Sequence, residues 1–225
     1  MKDNIDLIAQ DLTMRARAMF DGSSIAAKDE NHPTIDAIVR QMLVSGSELM
    51  VSCASLAHGS HDLAINILNR SIIEMGIKVH WATISSDNAL LLQEATKEQL
   101  KTIFKVNTKK GLLKVIDKSG IDHTASFLAS GGANKGPKTP SIEIMATQCG
   151  LSDIYNIFYR FQSLHTHSNH VHSNSAQTAA QTLGYLGIFS TLLGNVGVRW
   201  LIDRSRPSND EIRALLGFDP QRQQE

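Results

Sequence analysis

Apolar residues recur in this chain at steps of three and four, and nowhere do they alternate with polar ones for more than a few positions. That pattern removes most folds from consideration. A three-and-four rhythm lays an apolar stripe along a helix, whereas a half-buried strand needs a period of two. Ile5, Ile8, Leu12 and Met19 set the rhythm between Asn4 and Phe20. Pro33 and Thr34 open a second helix that runs through TIDAIVRQMLVSGSELMVSCASLA to about His58. Proline suits a first helical turn, where its missing N–H has no partner to lose. Asp62 to Ser85 reads as a third helix, and Ser86-Asp87 caps a fourth that reaches about Asp117. Ser141 starts a short helix ended by Gly150, and Ser152 caps one that enters a histidine-rich stretch. An apolar helix from about Gln177 to Asp203 follows, and the capping box from Ser208 to Glu211 opens a last one that stops at Gly217. The segment from Ser119 to Pro140, with four glycines and two prolines, interrupts the pattern and reads as a loop. The expectation is an all-α, single-domain helical bundle of seven to eight helices over residues 1–225.

Composition limits what such a bundle can do. Basic and acidic residues number 22 each, so no global field draws the chain to nucleic acid or to an anionic membrane, although a local patch stays open. Cys53 and Cys149 form no CxxC pair and read as reduced thiols of a cytoplasmic protein. The opening residues, MKDNIDLIAQDL, contain no apolar signal core. Ser175 to Val198 carries no formal charge, but Gln177, Gln181, Asn195 and four glycines dilute it. It reads as a buried bundle helix, so no membrane partner is expected.

Two helices carry polar residues where apolar ones belong. The third has one apolar face of Ile65, Leu68, Ile72, Met75 and Val79. Its opposite face has Leu63, Ile67, Ile77 and Trp81, with Arg70 and Glu74 in the middle. A helix apolar on both sides sits centrally in a bundle, so this pair is expected to be at least partly buried. Burying two charges is costly unless they are paired, so they form either a structural ion pair or part of a site. On the helix from Ser152, Ile154, Ile157, Phe158, Phe161 and Leu164 form the apolar face, against Asn156, Tyr159, Arg160, Ser163 and His167. Arg160 and His167 are two turns apart and project in similar directions. The stretch YRFQSLHTHSNHVHSN also holds His165, His170 and His172. Zinc would need three or four converging donors, and HTH and HVH spacings diverge on a helix, so no metal site is assigned. Neither is a cofactor.

LNRSIIEMGIKVHW, followed later by PSIEIMATQCGLSDIY and YRFQSLHTH, resembles an uncharacterised all-helical bacterial family. The shared pattern is Arg-x3-Glu, here Arg70 and Glu74, and Tyr-x3-Ser-x3-His, here Tyr159, Ser163 and His167. The resemblance implies that the two helices meet; it implies no activity. More distantly the chain is similar to the HEPN superfamily, all-helical proteins of which many are metal-independent ribonucleases of toxin–antitoxin and phage-defence systems. Their signature is an arginine and a histidine with four to six residues between them, and here six residues separate Arg160 from His167 and four separate it from His165. Active members usually carry a polar residue after the arginine, where this chain has Phe161. The similarity implies a homodimer, RNA as substrate, and an antitoxin or defence-system partner.

The chemistry expected of such a pair is acid–base work by His167 on a ribose hydroxyl, with Arg160 holding charge on the phosphate. Lys97, Lys101, Lys105, Lys109, Lys110 and Lys114 are candidate RNA contacts. Two other readings stand beside this one. The first is a non-catalytic helical regulatory or interaction protein in which Arg70, Glu74, Tyr159 and His167 are structural. The second is a metal-dependent hydrolase with histidine ligands.

Overall fold

Arg70 and Glu74 sit on the helix around which the rest of the bundle is built. The computed structural model describes residues 2–24, 31–57, 61–129, 136–160, 163, 192–200 and 202–203. Its helices are α1 (Lys2–Ser23), α2 (Pro33–Ala57), α3 (Asp62–Ile84), α4 (Ser86–Lys109), α5 (Thr124–Ala129), α6 (Ile142–Gln148) and α7 (Ser152–Ile154). The last passes directly into a π-helical segment, Tyr155–Tyr159. Residues 192–200 form a further helical run, α8. No strand occurs among the described residues; an isolated antiparallel bridge joins Ile116 to Asp122.

α3 packs against α2, α4, α6 and the π segment, and α1 covers the far side of α2. The expected periodicity is visible in what each helix buries. α1 turns Ala9, Leu12, Ala16 and Met19 inward, and α2 buries Ile35, Val39, Leu43, Gly46 and Met50. From α3, Ile65, Ile72, Ile73, Ile77 and Trp81 complete the core. α8 enters this core through Leu193, which is fully buried, and it can do so only because small residues let the backbones approach. A methyl on Gly46 would collide with Leu193, and one on Gly197 would lie 2.8 Å from Leu43 Cδ2. Trp200 anchors the far end of α8 by donating from Nε1 to Asp36 Oδ1 at 2.7 Å.

Five details of the sequence reading change. The segment from Ser119 to Pro140, expected as a loop, contains the short helix α5. α4 ends at Lys109, where a helix to Asp117 was expected: Gly111 adopts φ +72°, and the next residues form a turn and the bridge. Its N-cap is Ser85, whose Oγ accepts from the Asn88 N–H, and Ser86 is the first helical residue. Leu151 occupies the cap position expected for Ser152, whose hydroxyl instead donates to Thr147 Oγ1. Leu63 and Ile67, expected on a second buried face of α3, are exposed; that face is covered only from Arg70 onward, where α6 and the π segment lie on it. Ser141 does cap α6, and Gly150 at φ +70° does end that region. Among the described residues no helix is long and apolar enough to cross a membrane.

Candidate functional site

Arg70, Glu74 and Lys78 follow one another at four-residue steps, which lines them along one face of α3. Lys78 Nζ donates to Glu74 Oε1 at 2.7 Å, in the favourable order with the acid N-terminal. On the other side of Glu74 the expected ion pair with Arg70 is loose, 3.8 Å from Nη2 to Oε2. The Tyr159 hydroxyl closes that gap. It accepts from Arg70 Nη2 at 2.6 Å and donates to Glu74 Oε2 at 3.1 Å. Arg70 Nε donates to Ser163 Oγ at 3.1 Å, and Ser163 in turn donates to the Tyr159 carbonyl at 2.9 Å. The guanidinium also lies 4.6 Å from the centre of the Tyr159 ring, whose other neighbour is Tyr155, stacked at 5.2 Å. The result is a polar clasp between α3 and the chain after α7.

A local irregularity aims the clasp. The Arg160 N–H bonds to the Tyr155 carbonyl, five residues back, which defines a π turn. This wider turn rotates the side chains away from their α-helical positions. Ile157, expected on the apolar face, is 54% exposed, while Tyr159, expected among the polar residues, is 8% exposed. Arg160 is carried outward. It is exposed, and its described partner is Asn156 Oδ1 at 3.5 Å. The polar face expected from regular spacing is therefore split: Tyr159 and Ser163 join Arg70 and Glu74, and Arg160 does not.

Arg70 and Glu74 keep 24% and 26% of their side-chain surface, so both charges are partly hydrated. Burial pushes the Glu74 carboxyl up, but the Lys78 hydrogen bond and charge, the Tyr159 hydroxyl and the Arg70 charge outweigh it and hold the group below the usual glutamate range. The Tyr159 phenol moves the other way, pushed up to about 12 by burial and by the Glu74 charge against the opposing pull of Arg70. Glu74 is thus held as the anion and Tyr159 as the neutral donor, which suits a clasp better than a proton shuttle.

Lys78 was missed on sequence, although the Arg-x3-Glu-x3-Lys ladder announced it. His165, His167, His170 and His172 lie outside the described residues. Among the described residues no group of three or more His, Cys, Asp or Glu side chains could hold a metal ion. Lys97, Lys101, Lys109, Lys110 and Lys114 are exposed and Lys105 is half-buried. All six belong to α4 and the turn after it, and α4 makes no contact with the π segment. Both cysteines are free thiols; burial pushes Cys53 up to about 12 and Cys149 up to about 11, which leaves each protonated and unreactive.

A family model described as a family of unknown function, DUF5677, matches residues 36–178, more than half of the chain, and its span holds the clasp, Arg160 and the four clustered histidines. No curated protein and no solved structure matches.

Proposed function

The chain belongs to DUF5677, a family of unknown function, and on that footing we propose that it is a metal-independent ribonuclease of the HEPN kind, with Arg160 and His167 as its working pair. The observation that carries this reading is the contrast between two adjacent residues. Tyr159 is buried and fixed at its ring and its hydroxyl, while Arg160 is exposed and lightly held. A guanidinium mounted on a rigid base and open to solvent is what capture of a phosphodiester requires. The π turn that leads into Arg160 is an irregularity found often at functional sites.

In this reading the clasp is scaffold and Arg160 is the phosphate ligand. His167, seven residues on in sequence, takes the proton from the ribose 2′-hydroxyl. The freed oxygen attacks phosphorus, a 2′,3′-cyclic phosphate forms, and the 5′-oxygen leaves with a proton from imidazolium. A second copy of the chain would supply that imidazolium, and an antitoxin-like partner would restrain the activity. Arg160 neutralises the charge that builds on the phosphoryl oxygens. The test is cleavage of end-labelled RNA in EDTA. Cutting by the wild type and none by His167→Ala is expected, and equal cutting by both would overturn the assignment.

A non-catalytic helical regulator is the second reading. What favours it is that Arg70, Glu74, Tyr159 and Ser163 hydrogen-bond to one another, as a network made only to fix the packing of two helices would. It expects no RNA cleavage by any form of the protein and the same loss of stability wherever the clasp is cut.

A further inference from the structure

Beyond Ala95 the α4 helix leaves the core. From Thr96 to Ala129 only Thr108 is buried, and α5 packs on α4 alone among helices α1–α7. This arm nonetheless carries Leu100, Ile103, Phe104, Leu112, Ile116 and Ile121, each between 50% and 70% exposed. Large apolar side chains gathered in one element and left in water mark a contact surface. Along α4, Leu100, Ile103 and Phe104 occupy a stripe about 100° wide, and Lys97, Lys101 and Lys105 fill the adjoining stripe of about 80°. From Lys97 to Lys114 six lysines stand against one acid, Glu98.

The end of the arm repeats the arrangement in a turn. Gly111, at φ +72°, reverses the chain after α4. Leu112 stands 70% exposed beyond it, flanked by exposed Lys109, Lys110 and Lys114. The next turn is stiffened by Asp117, whose Oδ1 accepts from the Ser119 and Ile121 N–H groups and the Ser119 hydroxyl. His123 Nε2 lies 2.9 Å from its Oδ2. The exposed leucine between lysines thus stands beside a turn that is held in shape.

We propose that this arm docks peripherally on an anionic lipid bilayer. Its aliphatic side chains enter the boundary between headgroups and acyl chains, and its lysines extend to the phosphates, their stems lying along the apolar layer. The charge selects an anionic occupant and turns away a second copy of the same arm, which would bring like charges together. The apolar residues select lipid over RNA: five of the six named are aliphatic and offer no ring for a base to stack on. Exposed leucines need no matching pocket in a bilayer, as they would in a protein partner. The contact is made on the surface and requires no crossing helix. It does not depend on Arg160 or His167, but it gives to lipid the six lysines that the sequence offered to RNA.

Flotation of the full chain with vesicles tests it, comparing phosphatidylcholine alone with phosphatidylcholine containing about 30% phosphatidylglycerol. Two double variants are run beside the wild type, Leu112→Asp with Leu113→Asp, and Lys109→Glu with Lys110→Glu, each checked for an unchanged melting temperature. The wild type is expected to float with the anionic vesicles. Binding should fall at least about ten-fold on neutral vesicles and at least about ten-fold in either variant. Failure of the wild type to float overturns the proposal. Binding that the lysine variant loses and the leucine variant keeps also overturns it, and assigns the arm to a polyanion such as RNA.

Discussion

Replacing Tyr159 by phenylalanine removes one oxygen and leaves nearly everything else. The ring keeps its stack on Tyr155 and its place 4.6 Å from the Arg70 guanidinium. What goes is the hydroxyl, with its 2.6 Å bond from Arg70 and its 3.1 Å bond to Glu74. Hydrogen bonds to charged groups contribute about 1.5–3 kcal/mol each when buried. Arg70 and Glu74 retain about a quarter of their exposure, so water recovers part of both, and Glu74 keeps Lys78. The low end of the range applies, discounted further, and the expected loss is about 2 kcal/mol. At this chain length that lowers the melting temperature by roughly 4–8 °C. Urea unfolding followed by circular dichroism reads the same loss as a lower midpoint with an unchanged slope. Combined with Glu74→Gln, the two losses should fall short of additive by about 1 kcal/mol, because one variant removes the Tyr159–Glu74 bond and the other takes the charge from it. A loss under about 0.5 kcal/mol, or full additivity, would show that the hydroxyl does not bridge the two charges.

Acid should loosen the clasp. The Glu74 carboxyl titrates lower in the folded chain than in the unfolded one, so its contribution is present above the ordinary value of about 4.3 and lost as pH falls through the folded value. Urea midpoints between about pH 3 and pH 6 should therefore drop less steeply for Glu74→Gln than for the wild type, and parallel profiles would reject this. At the alkaline end Tyr159, pushed up to about 12, holds its stabilising effect below the ordinary phenol value of about 10 and loses it as pH rises toward 12. Absorbance near 295 nm should accordingly show a late tyrosinate step that Tyr159→Phe abolishes, about two units above an ordinary phenol. Asn69 is fully buried, and neither amide atom has a hydrogen-bond partner among the described residues, so Asn69→Leu should raise stability by about 1 kcal/mol in the same urea assay. A loss of that size would mean that the amide has a use.

The fold was legible because helical spacing is a local property that tertiary packing reinforces. Pro33, Ser141 and Gly150 mark their boundaries by the chemistry that a first turn, a cap and a left-handed position each require. The Arg70–Glu74 pair was legible too, since two charges amid Leu, Ile and Trp must be answered by something. What answered them was partly hidden. Lys78 stood at a readable spacing, but the part played by Tyr159 depends on a π turn, and a single inserted residue of register leaves no mark in an otherwise regular pattern. Tyr159 and Arg160, placed together on one polar face by the sequence reading, face apart because neighbouring helical residues project about 100° from one another. The exposed apolar half of α4 was invisible for a different reason: periodicity says which residues share a face and is silent on whether anything covers it.

The central claim is that adjacent residues divide the labour, Tyr159 holding the helices together and Arg160 meeting the phosphate. The most direct test is the rate of RNA cleavage in EDTA by Arg160→Ala, with its melting temperature taken on the same sample. The account predicts a rate lower by about 10²-fold or more, with melting within about 1 °C of the wild type, because Arg160 is exposed and its side chain is hydrogen-bonded to Asn156 alone among the described residues. An unchanged rate, or a loss of rate accompanied by a matching loss of stability, would contradict it.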